Sequence, residues 1–156
     1  MGKKFKVPSK MSIEEYEAFW KEALGKTRIG YSRVQVLKRP ICAFKKVYVG
    51  GLKEVIANLI IPEGARVAIC RPEYSWTAYK CRADQAFVHS LHYMASRRHV
   101  PPTVKAATYW DLKFVYTVGE TVRPTLPFSS RGWDKHNSTC GSGIHFFVNL
   151  SEALDW

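Results

Sequence analysis

Hydrophobic positions recur at two different periods along the chain, and the change falls at Gly25. Ile13, Tyr16, Trp20, Ala23 and Leu24 follow the three-and-four spacing of an amphipathic helix, with Glu14, Lys21 and Glu22 mostly on the opposite side. Ser12-Ile13-Glu14-Glu15 reads as a capping box, in which the Ser12 hydroxyl and the Glu15 carboxylate each satisfy a backbone N–H left open by the first turn. The acidic first turn also suits the positive end of the helix dipole, and Gly25 stops the helix.

After Gly25 the pattern becomes β. Tyr31 to Leu37, Ile41 to Val49, Glu54 to Ile61 and Ala65 to Cys70 are short runs rich in Val, Ile, Phe and Tyr. Arg39-Pro40, Gly50-Gly51 and Pro62-Glu63-Gly64 punctuate them as turns. Leu52 to Ile60 also fits a short helix, so that segment stays open. Ala83 to Met94 is open too: Phe87, His89, Leu91 and Tyr93 alternate as a strand does, yet Val88 is the stretch's one β-branched residue. Ser96 to Tyr109 reads as a long loop and Lys113 to Val118 as a strand. Pro124, Pro127 and Gly132 mark a further loop, and Ile144 to Val148 is the final strand. Asn149 or Ser151 caps a helix starting at Glu152.

A helix followed by many short strands predicts an α+β fold: an N-terminal amphipathic helix, then a curved, mainly antiparallel sheet with long loops. Residues 1–11 form a basic arm and residues 12–156 one globular domain. Apolar residues make up 46% of the chain, enough for a real core, but the longest apolar runs are too short for a membrane span. With no apolar leader, the expectation is a soluble, intracellular, non-secreted protein that does not engage a membrane.

Charge sharpens this picture. Through Lys53 there are 13 Lys and Arg against 4 acidic residues; from Glu54 onward there are 11 against 9. Most of the net +11 therefore lies in the first third of the chain. Such one-sided charge points to a polyanion, a nucleic acid or nucleotide, with encounter steering toward a host protein as the rival reading. The candidate ligand-binding cations are Arg33, Lys38, Arg39, Lys45 and Lys46, extended by the arm lysines, with Tyr31, Phe44 and Tyr48 available to stack on bases. On a strand, Lys45 and Lys46 face opposite sides and make no single patch.

Two further constellations carry chemistry. Cys140 and His145 offer a thiol and an imidazole five residues apart, a candidate nucleophile and base. Between them Gly141, Ser142 and Gly143 can form an anion-binding nest of backbone N–H groups or simply a turn. Cys81, His89, His92 and Cys140 match no standard zinc spacing, and neither metal nor cofactor is expected. His89 and His92 would share a face on a helix and take opposite faces on a regular strand.

Three phrases carry a family resemblance: Lys80-Cys81-Arg82-Ala83-Asp84-Gln85-Ala86, then Phe114-Val115-Tyr116-Thr117-Val118-Gly119-Glu120-Thr121-Val122, then Cys140 to Phe147 followed by Glu152-Ala153-Leu154. In order and spacing they resemble an uncharacterised domain of large DNA viruses of the mimivirus and iridovirus type. The C-terminal phrase is also similar to one in phage proteins of the rapid-lysis B type. The resemblance implies a viral accessory domain of unknown function, acting in the host cytoplasm or nucleus or in the virion, with no catalytic residues to carry over. Gly141 to Phe146 followed by Ser151 also resembles an ADP-ribosyltransferase segment, with His145 where those enzymes place a tyrosine. They need a further strand bearing a glutamate, and here Glu152 falls at a helix start. The expectation is a non-enzymatic domain, with a small Cys140/His145 enzyme as the alternative.

Overall fold

The structure, a computed structural model, describes residues 11–24, 34–50, 52–69, 81–108, 115–124 and 143–155. Helix α1 spans Ile13–Leu24. Its start is the capping box read from the sequence: the Glu15 N–H donates to Ser12 Oγ at 3.1 Å, and the Ser12 N–H to Glu15 Oε1 at 3.4 Å. Ile13, Tyr16, Trp20 and Leu24 are its buried stripe.

Among the described residues ten strands follow in chain order: β1 Gln35–Val36, β2 Ile41–Val49, β3 Lys53–Ile61, β4 Arg66–Ile69, β5 Cys81–Ala83, β6 Ala86–Tyr93, β7 Ala106–Ala107, β8 Val115–Tyr116, β9 Thr121–Val122 and β10 Ile144–Phe146. Helix α2, Leu150–Asp155, comes last among the described residues. The open segment Leu52 to Ile60 is a strand, because it pairs in full register with β2 from Val49↔Lys53 to Ile41↔Ile61. The other open segment is strand over Ala86–Tyr93, with Ala83 ending β5, and the expected long loop from Ser96 holds the two-residue β7. α2 begins two residues before the expected Glu152, with Asn149 in the cap position.

All strand pairs are antiparallel and divide between two sheets. The smaller has the order β1-β4-β5-β10 and the larger β8-β7-β2-β3-β6-β9. The Pro62-Glu63-Gly64 turn links β3 to β4 and hence the two sheets: the Ala65 N–H donates to the Pro62 carbonyl at 3.1 Å with Gly64 at φ 87°, a conformation that suits glycine.

The main core lies between the sheets. Alternate residues of β2 and β3 (Ile41, Ala43 and Val47; Val55, Ala57, Leu59 and Ile61) meet Val67, Cys81, Ala83, Ile144 and Phe146 from the smaller sheet. The other face of the larger sheet is covered by the two helices. There Ile13, Phe44, Ile56, Phe147, Leu150 and Ala153 form one cluster, and Tyr16, Trp20 and Leu24 another against Cys42 and Ile60. β3 is thus apolar on both faces because both are covered, which erases the period-two signal in the sequence.

Candidate functional site

Gly143 leads into the seam where the two sheets meet. β10 pairs with β5 through Ile144↔Ala83, His145↔Arg82 and Phe146↔Cys81. One residue later the chain leaves that sheet and bridges to β2: the Phe44 N–H donates to the Phe147 carbonyl at 2.8 Å, and the Phe147 N–H to the Phe44 carbonyl at 2.9 Å. Gly143, directly before β10, has φ 136°, a backbone region that residues with a Cβ rarely enter.

His145 and Arg82 stand directly opposite each other, so their side chains leave the smaller sheet on the same face, away from the main core. The Arg82 side chain is fully buried, and burial pulls its pKa below the usual guanidinium value. His145 is half-buried. Composition gave no hint of Arg82, because a buried arginine is recognised only once its strand neighbours are known.

The predicted cations fare differently. Lys45 and Lys46 do take opposite faces of β2. Lys45 turns to the seam and donates from Nζ to the His145 backbone carbonyl at 2.9 Å. Lys46 pairs with Glu54 across the hairpin at 3.4 Å, its side chain 17% exposed. Lys38 and Arg39 are exposed between β1 and β2. Arg33, Cys140, Gly141 and Ser142 lie outside the described residues, as does the arm up to Lys10.

Neither described cysteine is an activated nucleophile. Burial pushes the Cys42 and Cys81 thiols up to about 12. Cys81 faces the core between the sheets, whereas His89 and His92 face α1 across the larger sheet, so the zinc quartet considered from sequence is not assembled. Among the described residues, no group of three or more metal-ligating side chains is placed to hold an ion. Glu152 sits in α2, where it accepts from Asn149 Nδ2 at 2.6 Å, and not on a strand beside β10.

The expectation that His89 and His92 would take opposite faces on a strand is corrected. β6 carries a bulge: Asn58 pairs with Ser90, but the next β3 residue, Leu59, pairs with Val88, leaving His89 as the extra residue. The bulge resets the alternation, so His89, Ser90 and His92 all face α1 while Val88 and Leu91 stay in the main core. A third imidazole, His99, is brought in by a bridge to His92.

The three imidazoles surround one tyrosine. Tyr16 meets His89, His92 and His99 edge-on at ring-centroid distances of 5.0, 5.5 and 6.0 Å. His92 and His99 lie 4.3 Å apart, and Trp20 meets His89 at 5.6 Å. His92 Nε2 and Ser90 Oγ share a hydrogen bond of 2.9 Å, and His99 Nε2 donates to the Met11 carbonyl at 2.7 Å. The Nδ1 atoms of His89 and His92 are buried without a hydrogen bond. Burial lowers both pKa values, helped by the charge of His99, and His92 falls to about 4 although the nearby Arg97 carbonyl pulls the other way.

The fold defines an α+β protein of two stacked antiparallel sheets with both helices on one outer face. The chain belongs to a family of unknown function (DUF5758), whose model matches residues 13–153. No curated protein and no solved structure matches it.

Proposed function

We propose that this protein is a non-enzymatic viral accessory domain that binds a polyanion, a nucleic acid or nucleotide, in the host cell or virion. The observation that carries this reading is how charge divides along the sequence. Residues 1–53 hold 13 Lys and Arg against 4 Asp and Glu, while residues 54–156 hold 11 against 9. Of that early excess, Lys3, Lys4, Lys6 and Lys10 precede α1, and Lys26, Arg28 and Arg33 follow it, with no carboxylate in residues 1–10 or 25–33.

Within the fold, several cations are already committed. Lys46 pairs with Glu54, Arg66 with Asp84, Arg97 with Glu14 and Lys21 with Glu17, while Lys45 caps a carbonyl. Two cationic stretches of sequence without a carboxylate suit tracking of a phosphate backbone, since each neutralised phosphate releases counterions. The viral origin rests on the three sequence phrases, which the family match leaves open. Lys38 and Arg39 are exposed and would extend such a surface.

Fluorescence anisotropy with labelled single- and double-stranded DNA and RNA across a salt series tests the reading. Binding should weaken steeply with salt, with a log–log slope of roughly −0.7 per neutralised phosphate on single strands. Replacing Lys3, Lys4, Lys6 and Lys10 by Gln should flatten that slope. A flat response in the unaltered protein, or no binding at low ionic strength, sinks it. A host partner surviving nuclease treatment in a pull-down would then favour the interaction-module reading.

A further inference from the structure

We infer that His89 and His92, packed with His99 beneath α1, form a proton-operated latch, which holds the helix on the larger sheet at neutral pH and releases it on mild acidification. This goes beyond the polyanion reading and does not depend on it.

The geometry carries the inference. α1 meets this part of the sheet largely through Tyr16 and Trp20, and Tyr16 touches all three imidazoles. His92 is fully buried, and its ring lies 4.3 Å from that of His99. A proton arriving at Nδ1 of His89 finds no acceptor, His92 has the Arg97 carbonyl alone, and a second proton places like charges side by side in a largely buried layer.

No carboxylate of the helix is turned to the cluster to offset such charge. Glu14 pairs with Arg97 at 3.3 Å, Glu15 with the Ser12 backbone, and Glu17 accepts from the Leu150 N–H at 2.7 Å. From β3 the neighbour is Asn58, which is uncharged and bonded to Trp20; from β2 it is the Cys42 thiol. The turn after β6 contributes the Arg97 carbonyl, the one group that favours an imidazolium, while the Arg97 and Arg98 side chains add positive charge at the rim. Ser90 Oγ serves either protonation state of His92, so it does not bias the outcome.

Released from the sheet, the rings regain water and their ordinary basicity. Opening of α1 is therefore favoured about tenfold per buried histidine for each pH unit below the free imidazole value of about 6.5, until the docked ring itself protonates. Protons alone drive the change, with no further reagent.

Hydrogen exchange read by mass spectrometry, corrected for its intrinsic pH dependence, tests the latch on the full chain. α1 should be less protected than β3, which opens only with the whole fold, and between pH 7.5 and 5.5 protection of residues 13–24 should fall by about tenfold or more. In a His89→Phe, His92→Phe double variant that fall should vanish. Unchanged protection of α1 at pH 5.5, α1 and β3 sharing one level of protection at both pH values, or the same loss in the double variant each overturns the latch. Should the double variant fail to fold, an NMR titration of the unaltered protein decides. Imidazole midpoints of His89 and His92 below 6.5, with α1 amides shifting alongside, support the latch; midpoints at or above 6.5 end it.

Discussion

The carboxylate of Glu17, in the middle of α1, accepts a 2.7 Å hydrogen bond from the backbone N–H of Leu150, the first residue of α2. The two residues are 133 positions apart, so one helix supplies the end-group of the other. A helix as short as α2 has little stability of its own, and its first N–H groups need partners from outside.

Removing that acceptor should therefore be felt at the far end of the chain. Glu17→Ala is expected to cost about 1–2 kcal/mol in urea unfolding, and Glu17→Gln less, because the amide oxygen still accepts. The nearby Lys21–Glu17 pair at 3.5 Å accounts for only a few tenths of that loss, roughly 0.3–0.5 kcal/mol. Exchange protection should drop first in residues 150–155. Unaltered protection there would show that Glu17 does not cap α2.

Asn58 plays the corresponding part under α1. It is fully buried, accepts from Trp20 Nε1 at 3.2 Å, and donates from Nδ2 to Cys42 Sγ at 3.2 Å and the Ala43 carbonyl at 3.4 Å. Asn58→Ala should destabilise by about 2–3 kcal/mol, since it takes an interior acceptor from the indole and leaves a void. Asn58→Asp should cost more, because it buries a charge against a thiol and a carbonyl. A double-mutant cycle with Trp20→Phe should return a coupling of about 1 kcal/mol; additivity would mean that the 3.2 Å contact contributes nothing.

How far these relationships were legible in the sequence depends on how local they are. The Ser12–Glu15 box and the buried stripe of α1 sit within a few residues, and both stand as read except at Ala23, which is exposed. The opposite facing of Lys45 and Lys46 follows from strand alternation alone, but their destinations on β10 and β3 are matters of tertiary pairing. Residues 52–60 fit two elements because burial on both faces of β3 removes the alternation that separates them. The histidine cluster was hidden for a sharper reason: one extra residue at position 89, imposed by pairing with β3, inverts the parity on which any reading of β6 relies. Arg82 opposite His145 was equally out of reach, since the pairing of β5 with β10 joins residues more than 60 positions apart.

The cysteines give a reactivity prediction. With thiols pushed up to about 12, Cys42 and Cys81 should resist alkylation by iodoacetamide at pH 8 in the folded protein and react once urea unfolds it. Peptide-resolved mass spectrometry reads each site separately. Cys42 lies under α1 and should become reactive before Cys81, which sits in the core between the sheets. Rapid native labelling of Cys81 would contradict the burial that raises its pKa.

Global stability should also depend on pH with a definite sign. His89 and His92 hold their protons more weakly in the folded chain than in the unfolded one, so the unfolded state takes up more protons as pH falls. Their contribution is complete above the unfolded value of about 6.5 and declines below it, levelling off for His92 near the folded value of about 4. Each pH unit of that separation is worth about 1.4 kcal/mol, so His92 alone accounts for on the order of 3 kcal/mol across the window. Urea midpoints at pH 7.5, 6.5 and 5.5 should fall in that order, and His92→Phe should make the fall shallower. A midpoint that rises on acidification, or a slope unchanged by His92→Phe, would mean that the imidazole is not kept neutral by its burial beneath α1.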